Sequence, residues 1–249
     1  RQVLDQVDPS KLRGTLIGVP IVNVFGFIRE SRYMPDRRDL NRSFPGSKRG
    51  SLAARIANLF MKEIVARCDY GIDLHTAAQG RFNLPHVRGD FKDPEIYRVA
   101  AAFGAPVFFH SEGRDGTIRR AANKVGKPVI LYEAGEAQRF EQEPIAIGVA
   151  GVLRVMKDLG MISKAPRAPT SVEASGTKWV RAKTGGILRL DRLTGEVVKQ
   201  RMKLGTIGDA LGRSSTNVLA PCDGIIISHS TNPLIHQGDA VVHIAKTGE

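Results

Sequence analysis

Cysteine is scarce in this chain: Cys68 and Cys222 are the two among 249 residues, and they form no CxxC pair. That argues for reduced structural thiols over a disulfide framework, which suits a cytosolic protein. Aromatic residues make up 6% of the chain, with one tryptophan, so there is little to build base-stacking platforms from. No apolar run approaches the roughly 18 residues that a membrane span needs, and no signal peptide is visible. Neither long repeats nor low-complexity tracts occur. What remains is an ordinary globular composition, 42% hydrophobic, with a net charge of +12. The basic residues are scattered. Their densest group, Arg29, Arg32, Arg37, Arg38 and Arg42, falls in one loop and suits an anionic small molecule better than a nucleic acid.

The length fits one large domain with a smaller one. Residues 1–13 read as the end of a helix and a turn at Asp8-Pro9-Ser10. The Val/Ile-rich run Gly14–Asn23 reads as a buried strand. Val24–Gly46 has no sustained period, and a loop of about twenty residues in a compact domain is usually functional. Ser51 is placed to cap a helix over 52–67. Tyr70 to Thr76 reads as a short buried strand ending in His75, with Asp73 placed to orient that ring. Residues 77–90 read as a loop, 94–103 as a helix, 105–110 as a strand, 117–125 as a short helix, 127–133 as a strand ending in Glu133, and 143–159 as a longer apolar helix. Strands alternating with helices predict an α/β fold with a mixed, largely parallel sheet flanked by helices. The Pro- and Ser-rich stretch 163–171 predicts a boundary. It divides a catalytic domain over 1–165 from a small all-β barrel or sandwich over 172–249, where short Val/Ile runs alternate with Gly turns.

His75, Asn41 with Arg42, the Arg119/Arg120 pair and Glu133 lie at strand ends or in adjacent loops. Such a set suits metal-assisted amide hydrolysis. A metal acidifies water, a carboxylate takes its proton, and guanidinium groups hold substrate carboxylates. Glu136 is a rival for the carboxylate. His86 and His110 lie near the expected crevice, and His229, His236 and His243 read as surface or turn residues of the β region.

The motifs Ser31-Arg32-Tyr33, Asp39-Leu40-Asn41-Arg42-Ser43-Phe44-Pro45-Gly46, Ile72-Asp73-Leu74-His75-Thr76, Asn83-Leu84-Pro85, Gly116-Thr117-Ile118-Arg119-Arg120 and Leu131-Tyr132-Glu133-Ala134-Gly135 follow one another in that order. In this the chain resembles the succinylglutamate desuccinylase/aspartoacylase family, of the zinc carboxypeptidase-like fold. The resemblance implies His75 as a zinc ligand, Glu133 as general base and Arg32 as the group that polarises the scissile carbonyl. It also implies Asn41 and Arg42 as receivers of the substrate carboxylate, and Arg119, with Arg120 as a rival, as a binder of a distal one. It implies one Zn²⁺ per subunit and a deacylase acting on a small anionic N-acylated amino acid, in a cytoplasmic protein free to form a homo-oligomer, with no nucleic-acid or membrane partner. A metallocarboxypeptidase and a metal-free binding protein are the alternatives. The family's other two zinc ligands come from an upstream His-x-x-Glu motif that this sequence does not contain. The expectation is that a segment bearing it precedes Arg1, so zinc is expected for the complete protein. The 172–249 region resembles a biotinyl/lipoyl-like barrel, through Ala220-Pro221-Cys222-Asp223-Gly224 and Gly238-Asp239-Ala240. It lacks a lysine at the tip formed by residues 228–233, which argues against a swinging-arm role.

Overall fold

The computed structural model describes residues 1–248. In chain order the first part runs α1 (Gln2–Gln6), α2 (Val24–Ile28), α3 (Leu52–Glu63), β1 (Gly71–His75), β2 (Arg81–Gly89), α4 (Pro94–Phe103), β3 (Val107–His110), α5 (Ile118–Lys124), β4 (Val129–Gly135) and α6 (Gln142–Asp158). The second part is all strand: β5 (Val172–Ala174), β6 (Thr177–Arg181), β7 (Gly186–Leu190), β8 (Val197–Val198), β9 (Lys203–Gly208), β10 (Ser215–Leu219), β11 (Gly224–Ser230), β12 (Leu234–Ile235) and β13 (Ala240–Lys246). This is the α/β fold with an added β sandwich that the sequence patterning predicts.

Helix boundaries follow local chemistry. Ser51 caps α3 by accepting from Ala54 N, and Asp93 caps α4 by accepting from Glu95 N, with Pro94 in the first turn. Gly104 ends α4 at φ 68°, a left-handed conformation that glycine adopts without strain. On β4, Ile130, Tyr132 and Ala134 point into a core made with α4 and α6. Gly151 of α6 lets that helix come close, because a Cβ there would lie 2.3 Å from the Phe103 ring. Alternation along a strand sends Val129, Leu131 and Glu133 to the opposite face. Val129 is covered there by Ala122 of α5.

Among the described residues, β1, β4, β2, β11, β13 and β6 run in that order through a nine-stranded sheet, with β3, β5 and β8 attached off this path. Pairings β1/β4, β2/β3 and β3/β5 are parallel, while β2/β4 is antiparallel. One edge of β2 faces β4. Its other edge is shared, with residues 81–83 bonding to β11 and residues 86–89 to β3. Strand β11 therefore joins the C-terminal strands to the same sheet. The second sheet, in the order β10-β9-β7-β12, packs on it through Val180, Leu204, Ile226 and Val242.

Two expectations fail. Gly14–Asn23 forms no strand. Ile17, Val19 and Ile21 keep 41%, 37% and 37% of their surface, and no neighbouring strand takes up the run's backbone groups among the described residues. Residues 77–90 are largely the central strand β2, not a loop. Pro85, which cannot donate to a ladder, sits inside the register shift between Asn83 and His86.

Candidate active site

His75 and Glu133 lie toward the carboxyl ends of β1 and β4 and face each other in register, His75↔Glu133, one step beyond Leu74↔Tyr132. In-register neighbours project from the same face, and this is the face opposite α4 and α6. Strand ends of this kind are where open α/β sheets bind ligands.

His75 Nε2 lies 2.9 Å from Asp73 Oδ2, which fixes the ring and directs Nδ1 away from the carboxylate. Burial pulls the His75 pKa down. The Asp73 hydrogen bond and the charges of Asp73 and Glu133 outweigh it, and the net shift is upward. Glu133 is held on both oxygens: Asn83 Nδ2 donates to Oε2 at 2.6 Å, and Arg88 ion-pairs with Oε1.

Arg119 is 4% exposed and donates to the carbonyl and hydroxyl of Ser111. Burial and the neighbouring Arg88 pull its pKa down to about 10, against the opposing charges of Asp73 and Glu133. It thus belongs to the same electrostatic cluster as the catalytic candidates. Arg120 faces away, to Glu112, Asp90 and Asp115.

Asn41 sits in a 3-10 turn capped by Asp39, and its Oδ1 accepts from Ile118 N at 2.9 Å, the first N–H of α5. Phe44 N donates to Gly116 O, so the 39–46 loop is bound to the start of the helix that carries Arg119. Arg42 follows in that turn, with Nη1 2.5 Å from the Asn41 carbonyl. Arg32 is tied to Asp39 Oδ2 at 2.8 Å and is half-exposed. Among the described residues, no hydrogen bond or ion pair joins Arg32 or Arg42 to His75 or Glu133.

The rival carboxylate Glu136 is engaged elsewhere, accepting from Gly80 N and Thr231 Oγ1. His86 is 2% exposed, stacks on Phe109 and donates to Leu84 O through Nδ1; burial pushes its pKa down to about 3. His243 is not at the surface, as the sequence suggested. It is 7% exposed on β13, stacks on Trp179 with ring centroids 3.9 Å apart, and burial likewise takes its pKa to about 3. His236 is exposed, at the turn before Asp239. Asn83 and Arg88 are the site residues to which the sequence reading gave no role. The available signal was that a carboxylate half-buried at a strand end requires partners.

The donor set for a zinc ion can be judged from these contacts. His75 fits as one ligand through Nδ1. Asp73 is spent on the ring of His75, and both Glu133 oxygens are engaged. The described residues therefore do not complete the three-ligand set that zinc takes. A second group, Asp90, His110 and Glu112, brings its donor atoms within 4.8 Å of one another. Lys92 and Arg120 already neutralise Glu112, and His110 Nδ1 accepts from Phe91 N, which leaves that trio poorly suited to a cation. No helix among the described residues is long and apolar enough to cross a membrane.

Residues 1–159 match the profile described as "Succinylglutamate desuccinylase/Aspartoacylase catalytic domain". The chain is 25% identical, over 253 residues, to N-alpha-acetyl-L-2,4-diaminobutyric acid deacetylase of Halomonas elongata, an alignment covering 96% of this chain and 74% of that protein. Its fold superposes on succinylglutamate desuccinylase/aspartoacylase from Rhodobacter sphaeroides with a TM-score of 0.87 at 25% identity, covering 100% of this chain and 80% of that one. The product-bound ectoine utilization protein EutE (DoeB) from Ruegeria pomeroyi shares the fold at a TM-score of 0.89 and 23% identity, over 99% of this chain and 79% of that one.

Proposed function

Because the chain belongs to the succinylglutamate desuccinylase/aspartoacylase family, we propose that it is a hydrolase that removes an acyl group from an N-acylated amino acid. The observation that carries this reading is the in-register pair His75 and Glu133 at adjacent strand ends, with Asp73 orienting the imidazole. Glu133 takes the proton of the attacking water and returns it to the leaving amine. Asn41 and Arg42 receive one carboxylate of the substrate, Arg119 a second, and Arg32 the carbonyl oxygen. The guanidinium groups of Arg42 and Arg119 favour an anionic substrate.

We propose one Zn²⁺ per subunit with His75 among its ligands. Since His75 is the one ligand identified among the described residues, it alone should hold zinc weakly, well short of the tight binding of a full donor set. Calorimetric zinc titration reads this directly. Tight stoichiometric binding that survives His75→Ala would remove His75 from the role.

The hydrolysis is tested with a panel of N-acetyl and N-succinyl amino acids, short peptides included for comparison, with zinc present. Glu133→Gln should lower kcat by about 10²–10⁴-fold. An unchanged rate would refute the assignment, and a preference for peptides would move the chain to the carboxypeptidase reading.

A further inference from the structure

Glu133 stands between two strands, with His75 of β1 on one side and β2 on the other. Both groups that hold its carboxylate come from β2. Asn83 donates its amide N–H to Oε2 at 2.6 Å, and Arg88 pairs its guanidinium with Oε1. A regular strand would not bring them there this way. Asn83 registers opposite Gly135 and His86 opposite Glu133, so two residues on β2 stand against one on β4, with Pro85 inside the shift. The extra residue lets Asn83 and Arg88 flank one carboxylate from either side of the break. Asn83 is itself 5% exposed, and its register partner on the far edge of β2 is Ser228 of β11, which is 1% exposed. The Glu133 side chain keeps 15% of its surface and Arg88 28%, so water reaches the group.

An ionised carboxylate has roughly four acceptor positions. The two contacts occupy one on each oxygen and leave one on each for a proton. We propose that Asn83 and Arg88 are positioning residues that clamp the Glu133 carboxylate, fixing the orientation in which it accepts a proton. The clamp rests on the reading of Glu133 as the base. Asn83 supplies a directional N–H, and Arg88 supplies a charge-assisted contact to the other oxygen. A base held on both oxygens cannot rotate away from the water it must deprotonate, and misplacement by about 1 Å can cost on the order of a hundredfold in rate. Backed by Ser228, the clamp also gives β11 a part in the site, because displacing β11 would shift the segment of β2 that carries Asn83.

The test uses the full chain and the fastest substrate of the panel above. Asn83→Ala and Arg88→Ala should each lower kcat by on the order of ten- to a hundredfold with little change in KM. In Arg88→Ala, added guanidinium should restore part of the rate. Arg88→Lys keeps the charge without the fork and should fall between wild type and Arg88→Ala. A merely structural Arg88 would not respond to guanidinium. Independently of turnover, ¹⁵N NMR should show the Asn83 Nδ2 and Arg88 Nη protons protected from exchange in the wild type and released together in Glu133→Ala. Wild-type kcat in both β2 variants, with Glu133→Gln inactive, would overturn the clamp alone. So would unprotected Asn83 and Arg88 side-chain protons in the wild type. Full activity of Glu133→Gln would overturn the base and the clamp together.

Discussion

Two buried imidazoles make the stability of this protein depend on pH in a way that one substitution can isolate. Burial holds the pKa values of His86 and His243 at about 3, against about 6.5 in an unfolded chain. A folded-state value below the unfolded one means that the unfolded chain binds the extra proton. The stability is present above pH 6.5 and is lost as pH falls towards 3. Between pH 7.5 and pH 5 each such histidine costs about 2 kcal/mol, because protonation of the folded form is negligible over that range. Together they amount to about 4 kcal/mol, a large part of the 5–15 kcal/mol by which domains are typically stable. His229, whose pKa is also lowered by burial, adds to the trend. His75 opposes it, since its raised pKa gives stability below its unfolded value that is lost as pH rises. Comparing His243→Gln with the wild type at both pH values cancels these other contributions. It also cancels the lost stacking on Trp179, which applies at either pH. Trp179 is the one tryptophan of the chain, and it reports unfolding in urea by its own fluorescence. The wild type should lose about 2 kcal/mol more than His243→Gln between pH 7.5 and pH 5, roughly a 1 M larger shift in urea midpoint for an m-value near 2 kcal/mol/M. Parallel pH dependences of the two proteins would refute the argument and mean that His243 is not buried in neutral form.

Arg119 and Arg120 are adjacent in sequence and opposite in surroundings, so Arg119→Met should raise KM about tenfold or more through loss of a charge-assisted contact. Arg120→Met, which loses partly exposed ion pairs, should change stability by less than about 1 kcal/mol and leave KM alone; steady-state kinetics of both variants decide it. Gly116 adopts φ 83° where a Cβ would lie 2.5 Å from the Arg42 carbonyl oxygen. Gly116→Ala should therefore cost about 1–3 kcal/mol in thermal unfolding and weaken substrate binding in the same variant, because it pushes the Arg42 turn off α5. Arg154 of α6 is 9% exposed and donates to the carbonyls of Phe103 and Gly104 at the end of α4. Arg154→Met leaves those acceptors unpaired and should cost about 1–3 kcal/mol, measured by chemical denaturation.

Helices α3, α4 and α5 were legible because they carry their own punctuation: Ser51, Asp93 with Pro94, and Thr117 each bond the first turn of the helix they begin, whereas the short α2, capped by Asn23, lies in the stretch that reads as loop. Strands β1, β3 and β4 were legible as apolar runs ending at His75, His110 and, in β4, near Glu133. The Val/Ile-rich segment Gly14–Asn23 misled for the same reason. Strand propensity records fit to a half-buried pleated surface, and without a neighbouring strand the same residues stay extended and partly exposed. His243 was read as a turn residue because a single polar position in an apolar run does not reveal a ring stacked between strands. Strands β9 and β10 carry Gly, Ser, Thr and Asn, and β12 spans two residues, so none of the three stands out as an apolar run.

Strand β2 is the instructive failure. Its sequence, Arg81-Phe82-Asn83-Leu84-Pro85-His86-Val87-Arg88-Gly89, breaks each rule that marks a strand: it has four polar side chains, a proline and no regular alternation. Yet Val87 is fully buried and the strand bonds to β4, β3 and β11. Three of the departures have one cause. Asn83 and Arg88 are polar because they meet the Glu133 carboxylate, and Pro85 is tolerated because the ladder is already interrupted between them. The cost to local propensity is offset by pairing on both edges and by the core beneath Val87. A stretch that reads as loop by composition, yet lies between the motifs bearing His75 and Glu133, is thus where a central strand lined with site residues should be sought.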